Sequence, residues 1–385
     1  MIRNLIAFLR EPAFFRIGAV FAFNSILFAF WVTRLPEVKT KLALSEAALG
    51  SAFFSMSIGA LISMLTISRF IQRRGAGKMT ILTTGVFIIS MLPPFLAYDF
   101  LTLAIALFFA GITMGAMDIA MNTVAASLEK SHNKIIMSTC HGFFSLGGMI
   151  GAGLGSLFIA MGVNSVAQIS GGIIVLLIFT FFWIRPVLGS IHEKSAESDK
   201  MWALPGKALL GLAILIFCSF QGEGAIADWS GVFLKEVAMT DDYMWGLGYA
   251  GFSLTMTLGR FSGDELTAKT GPQKVVFGSG FLIVIGLLTV ISAQPWLTII
   301  GFTIAGAGYA LLVPIVFSEA AKKPGVSPSQ GIAAVATFGY TGFLLGPVII
   351  GGIAEIYGFS MGFWYLIVLT LIAVVIAMGN IGKTP

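Results

Sequence analysis

Twelve apolar runs, each long enough to cross a bilayer as a helix, constrain this chain more than any other feature. About 20 apolar residues per helix span a hydrocarbon core. The runs lie near Ala13 to Val32, Ala47 to Ile67, Met79 to Ala97, Leu101 to Ala126, Ile135 to Gly162 and Val166 to Leu188, then near Lys207 to Leu234, Trp245 to Ser262, Val275 to Ala293, Trp296 to Ala320, Gly331 to Ala354 and Gly358 to Gly379. The expected fold class is an all-α integral membrane protein with twelve transmembrane helices joined by short loops. Charged residues make up only 11% of the 385, against about 25% in a soluble domain. A soluble enzyme and a nucleic-acid-binding domain are thereby excluded, and the expected surroundings are a lipid bilayer.

The first run follows Arg3 and Arg10 and has no small-residue cleavage site behind it, so it is expected to stay in the mature chain rather than be removed as a signal peptide. Lys and Arg are retained on the cytoplasmic side. With the N-terminus there, most of the 23 basic residues fall on that side, Arg260 among them, while Arg34, Lys39, Lys41 and Lys235 fall on the other. Both termini are therefore expected to be cytoplasmic. The net charge of +5 follows from this asymmetry and from attraction to anionic inner-leaflet lipid, with no nucleic acid required. The longest polar interruption divides the chain near its midpoint. Residues 1–188 form an expected N-terminal six-helix half, 189–206 a cytoplasmic linker and 207–385 a C-terminal six-helix half.

The halves carry a weak internal repeat. A shift of 196 residues aligns the segment from Ser68 to Lys78 with that from Asp264 to Lys274, so that Gly75 meets Gly271 and Lys78 meets Lys274. A shift of 199 sets the segment from His141 to Gly148 against that from Tyr340 to Pro347. Repeats of this kind mark transporter folds whose halves rock about a midplane site. Over all twelve spans the chain resembles the major facilitator superfamily, whose loop between helices two and three reads Gly-x-x-x-Asp-Arg-x-Gly-Arg-Arg. Arg73, Gly75 and Lys78 fit that pattern, while Ser68 and Gln72 replace its first glycine and its aspartate. The resemblance implies inner-gate roles for Arg73 and for Asp264 of the second copy, a monomer as the working unit, and a multi-pass protein of the bacterial inner membrane. More narrowly, the segments from Gly115 to Asn122 and from Glu223 to Ser230 look like a branch near the fucose-proton symporter group. In that group the first helix contributes an acidic residue; Asn24 is the nearest polar group here, so the pairing expected instead is Asp118 with Glu223.

Polar residues stranded in apolar helices carry the chemistry, because each is costly unless paired or beside a water-filled cavity. In the fourth span Asp118 and Asn122 are four apart and share a face, which makes Asp118 a proton-coupling candidate; a plain tie between helices is the alternative. His141, at similar depth in the fifth span, is a relay candidate expected to share a hydrogen bond with Asp118. The seventh span holds Gln221, Glu223 and Asp228, with Gly222 and Gly224 between. A helix broken at those glycines would aim all three inward, Gln221 and Glu223 then contacting solute or proton. Asp228 lies near the depth of Arg34, and an Arg34 to Asp228 contact is the expected outer gate. Asn24, Phe28 and Trp31 recur at helical spacing on the first span and, with Asn122, Gln221, Tyr309 and Tyr340, are the substrate-binding candidates. For a stripe such as that on the first span, simple packing is the competing explanation.

No Walker loop, His-Glu-x-x-His, CxxC or Gly-x-Ser-x-Gly occurs, and Cys140 and Cys218 both lie in apolar runs. No enzyme activity, cofactor, metal or disulfide framework is expected. Ranked first is proton-coupled alternating-access transport of a small polar solute, a sugar or sugar derivative, with sodium as the alternative ion. A proton-antiport exporter of drugs or metabolites ranks second, kept in view by 34 Phe and 17 Met. A non-transporting receptor ranks last, since the loops offer little docking surface.

Overall fold

The computed structural model describes residues 2–189, 191, 206, 209–323, 328–379 and 381. The side chains of residues 2–4, 264, 328–329 and 333 lie outside that description, as does nearly all of the expected linker. Spans one to six are Pro12–Lys41, Glu46–Arg74, Ala76–Leu96, Phe100–His132, Met137–Ala160 and Ser165–Leu188. Spans seven to twelve are Leu210–Glu236, Leu247–Thr270, Pro272–Ile291, Pro295–Ala321, Gln330–Tyr357 and Phe359–Met378. Among the described residues, eleven of these helices are long and apolar enough to cross a membrane. The eighth, at 24 residues, has the length but carries Arg260, Asp264, Glu265 and Lys269. Local chemistry sets the starts: Pro12, Pro272 and Pro295 occupy first turns, where a fixed φ and a missing N–H cost nothing. Ser45, Asp99 and Asn164 accept backbone N–H bonds as N-caps.

Packing repeats between the halves. Spans one and five pack together as do seven and eleven, two and four as do eight and ten, and three and four as do nine and ten. Across the middle, span two meets eleven and span five meets eight, each contact the counterpart of the other, and span one meets seven. The aligned glycines behave identically. Gly75 has φ 86° and ψ 147°, and Gly271 has φ 84° and ψ 149°, a region open essentially to glycine alone. Each ends one helix and starts the next with no residue to spare.

Two expectations about helix ends and breaks need correction. The first helix runs nine residues past Val32 to Lys41, so Arg34 and Lys39 are helical and buried rather than in a loop. The seventh helix is continuous from Leu210 to Glu236. Its glycines are notches for close packing, not breaks: a Cβ on Gly222 would lie 2.0 Å from the Tyr309 hydroxyl, and one on Gly224 would lie 3.0 Å from the Phe343 ring.

Candidate functional site: a clasped interface between the halves

At one end the halves are sealed. Residues 29–36 of span one and 229–234 of span seven are all buried. Beyond them Lys39 Nζ lies 2.7 Å from both carboxylate oxygens of Glu236 and 2.9 Å from Glu46 Oε1. Lys235 donates to the Pro36 carbonyl at 3.2 Å and to the Thr40 hydroxyl. The 196-residue shift that aligns Gly75 with Gly271 also maps Lys39 onto Lys235 and Thr40 onto Glu236, so the two contacts exchange places under the repeat. This is the reciprocity a two-fold relation between halves demands. Span two joins span eleven at the same end, where the Ala47 N–H donates to Glu355 Oε2 at 3.1 Å.

The expected Arg34 to Asp228 gate does not form. Arg34 faces its own half and donates to Gln168 Oε1 at 2.8 Å, to Glu37 Oε2 at 3.0 Å and to the Val163 carbonyl. Depth along the helix alone could not show which way Arg34 is rotated. Asp228 shares a stripe with Gly224, which meets Phe343 of span eleven, and Gly231, which meets Pro36 of span one. It sits just below the seal, partly exposed.

Below the seal the facing surfaces are accessible. On span four Met114, Asp118 and Asn122 are partly exposed and Ala126 is exposed, a stripe at four-residue spacing running away from the clasp. Asn122 Nδ2 donates to the Asp118 carboxylate at 3.2 Å and to the Asp118 carbonyl at 2.9 Å. From the other half Tyr340, 38% exposed, packs on Phe220. Phe28 is partly exposed on span one.

A charged pair occupies mid-span. Arg260 Nη2 donates to Glu223 Oε2 at 3.2 Å, with each side chain 12% exposed. Arg260 Nη1 reaches across to span five, donating to Ser145 Oγ at 2.7 Å and to the His141 carbonyl at 3.4 Å. The other Glu223 oxygen, Oε1, is buried without a hydrogen-bond partner. One turn away Ser25, Ser253 and the Tyr249 hydroxyl crowd around Gly148, where a Cβ would come within 2.9, 2.9 and 3.4 Å of them.

Several candidates do not line these accessible faces. Gln221 has no exposed surface and accepts from the Tyr365 hydroxyl at 3.1 Å, turned toward span twelve. Tyr309 is buried over Gly222, and Trp31 is buried against Phe95 at 5.5 Å. Asn24 is buried with Nδ2 on Met117 Sδ at 3.7 Å. The His141 ring packs edge-on to Phe21 at 5.3 Å, so Asp118 bonds to Asn122 of its own helix and not to His141. The expected pairing of Asp118 with Glu223 is likewise replaced, by Glu223 with Arg260. Arg73 is exposed at the end of span two; the side chain of Asp264 is outside the described residues. Missing from the sequence candidates were Arg260, counted there with the cytoplasmic charges, and Ser145, Lys39 and Glu236. A lone Arg inside an apolar window, beside a span with Glu223 at its middle, was the available signal. Among the described residues no group of three or more His, Cys, Asp or Glu could hold a metal.

Two six-helix halves with matching packing, clasped at one end by ion pairs and carrying polar residues within their spans, have the architecture of a membrane transporter. Residues 13–327 match the Major Facilitator Superfamily, and the chain belongs to that family. It is similar to an uncharacterised MFS-type transporter of Yersinia pestis, 31% identical over 344 residues that cover 89% of each chain. It is also similar to Membrane protein MosC of Rhizobium meliloti, 33% identical over 361 residues, 91% of this chain and 86% of that one. Among solved structures, a variant of the nucleoside transporter NupG superposes with a TM-score of 0.76 at 13% identity, covering 95% of this chain and 99% of that chain. A bacterial homologue of the human lysosomal transporter Spinster, in an inward-facing and occupied conformation, superposes at 0.69 with 14% identity, covering 96% and 97%. At these identities the structural likeness speaks for the fold alone.

Proposed function

We propose that this transporter moves a small polar solute, a sugar or sugar-like molecule, by proton-coupled alternating access. The observation that carries the reading is the mid-span pair of Glu223 and Arg260 at 3.2 Å, with one carboxylate oxygen buried and unpartnered. An ionisable pair inside a span is costly and is kept where it binds an ion or solute. Asp118 and Asn122 on the facing wall, with Phe28 and Tyr340, add hydrogen-bonding and stacking groups suited to a hydroxylated ring. Protons are the coupling ion, sodium the alternative. The protein works as a monomer in a bacterial inner membrane with both termini cytoplasmic; the clasp then faces outward and the cavity opens inward.

Proteoliposomes carrying an internal pH dye test this. Offered a panel of free sugars, polyols, amino sugars and nucleosides, wild type takes up protons with at least one solute. Asp118→Asn reduces that influx by about a hundredfold or more, the range set by losing one proton-transfer group. Proton movement with no panel member, but outward exchange against apolar drugs, would move the assignment to an exporter.

A further inference from the structure

We propose that Arg260 is a positioning residue through which the protonation state of Glu223 sets how firmly the two halves join along spans five and eight. The proposal rests on the reading of Glu223 as a proton site and adds the route by which that site reaches the inter-half packing.

One guanidinium serves both halves. It holds Glu223 Oε2 at 3.2 Å in the C-terminal half and, in the N-terminal half, Ser145 Oγ at 2.7 Å and the His141 carbonyl at 3.4 Å. Guanidinium nitrogens are fixed in a planar fork, so the side chain cannot swing toward one partner without loosening the other. The remaining contacts on this face carry no charge. The Phe261 ring fills the notch at Gly142, where a Cβ would lie 2.1 Å from it, and Ser138 Oγ donates to the Arg260 carbonyl at 3.3 Å. The Arg260 side chain is therefore the contact here whose strength depends on a titratable partner.

Ionised, Glu223 neutralises the guanidinium and keeps it at the interface. Protonated, it leaves a cation facing only neutral acceptors, Ser145 and the His141 carbonyl. An uncompensated charge at a largely buried interface is unfavourable, so Arg260 turns out of it and Ser145 loses its donor. The halves then separate more readily along spans five and eight. The other titratable groups near the pair are Tyr249 from span eight, Tyr309 from span ten and His141 from span five. Spans one and eleven present Ser25 and Phe343 there. A phenol keeps its proton near neutral pH, so His141 is the group to control for.

Spin labels at Lys134→Cys in the loop after span four and Thr270→Cys at the end of span eight report the inter-half distance in nanodiscs. The native Cys140 and Cys218 are buried and stay in place. Between about pH 8.5 and about pH 5.5, the ratio of long to short distances in wild type rises roughly tenfold, the weight of one hydrogen bond to a charged group. Ser145→Ala reduces that response to under about twofold, since only neutral packing then answers the proton. Ser145→Thr, which keeps the hydroxyl, restores it, and His141→Gln leaves it as in wild type. Glu223→Gln holds one distribution at every pH. A Ser145→Ala protein that follows wild type while Glu223→Gln is flat overturns the role of Arg260 and leaves Glu223 as a proton site. Loss of the response in His141→Gln with Ser145→Ala unaffected overturns it too. A wild-type-like response in Glu223→Gln, or none in wild type, removes the proton-site reading itself. Should Ser145→Ala fail to fold, Arg260→Lys, which keeps the charge but loses the fork, is expected to flatten the response in its place.

Discussion

Arg260→Ala is expected to destabilise the fold by about 3–5 kcal/mol, the usual cost of removing one partner from a buried ion pair. The variant strands the Glu223 carboxylate and at the same time removes the donor to Ser145, so both halves lose a contact. Arg260→Ala with Glu223→Gln is expected to recover most of the loss, because the penalty comes from the uncompensated charge rather than from the missing attraction. Thermal unfolding of the purified protein, followed by size-exclusion of the surviving fraction, checks this. Equal stability of the single variant and wild type would mean that Glu223 is neutral or hydrated without Arg260.

Lys39→Ala is expected to produce the largest conformational change. It removes a cation held at 2.7 Å by Glu236 and 2.9 Å by Glu46, leaving two carboxylates of like charge without the cation they share. The loss of roughly 1.5–3 kcal/mol from hydrogen bonds to a charged group falls on the clasped state alone. The protein therefore shifts toward opening at that end by about tenfold or more. A maleimide that cannot cross membranes, applied to the clasped side of oriented vesicles, should label Phe28→Cys correspondingly faster. Lys235→Ala, at the repeat-equivalent position, should do much less, because its acceptors are a neutral carbonyl and a hydroxyl. Equal effects at the two lysines would show that the clasp depends on shape rather than charge.

Helix number and fold class were legible because a membrane imposes a length and hydropathy rule that eleven of the described spans satisfy alone and the eighth meets in length. The repeat was legible at Gly75 and Gly271 because a backbone of φ near 85° admits little else. Partner choice was not legible. Arg34 and Asp228 lie at similar depths, but the rotation of span one turns Arg34 to Gln168 of its own half and leaves the seal to Lys39 and Glu236. Arg260 escaped notice because sorting charges by loop assigns every Arg to an aqueous side, and its partner lies on another helix 37 residues away. Gly222 and Gly224 read as helix breakers, whereas the space they leave is filled by Tyr309 and Phe343. In each case periodicity within one helix fixes a face, and only the neighbouring helix decides what that face meets.

If Glu223 is where a proton is coupled to solute movement, removing its charge should separate exchange from accumulation. The measurement is radiolabelled solute uptake into proteoliposomes by wild type and Glu223→Gln, using whichever panel member drives proton influx. It is made once with an inward proton gradient and once with equal solute on both sides and no gradient. Glu223→Gln is expected to exchange solute at a rate near that of wild type and to accumulate none against its gradient. Accumulation by Glu223→Gln equal to wild type would contradict the coupling role of this carboxylate.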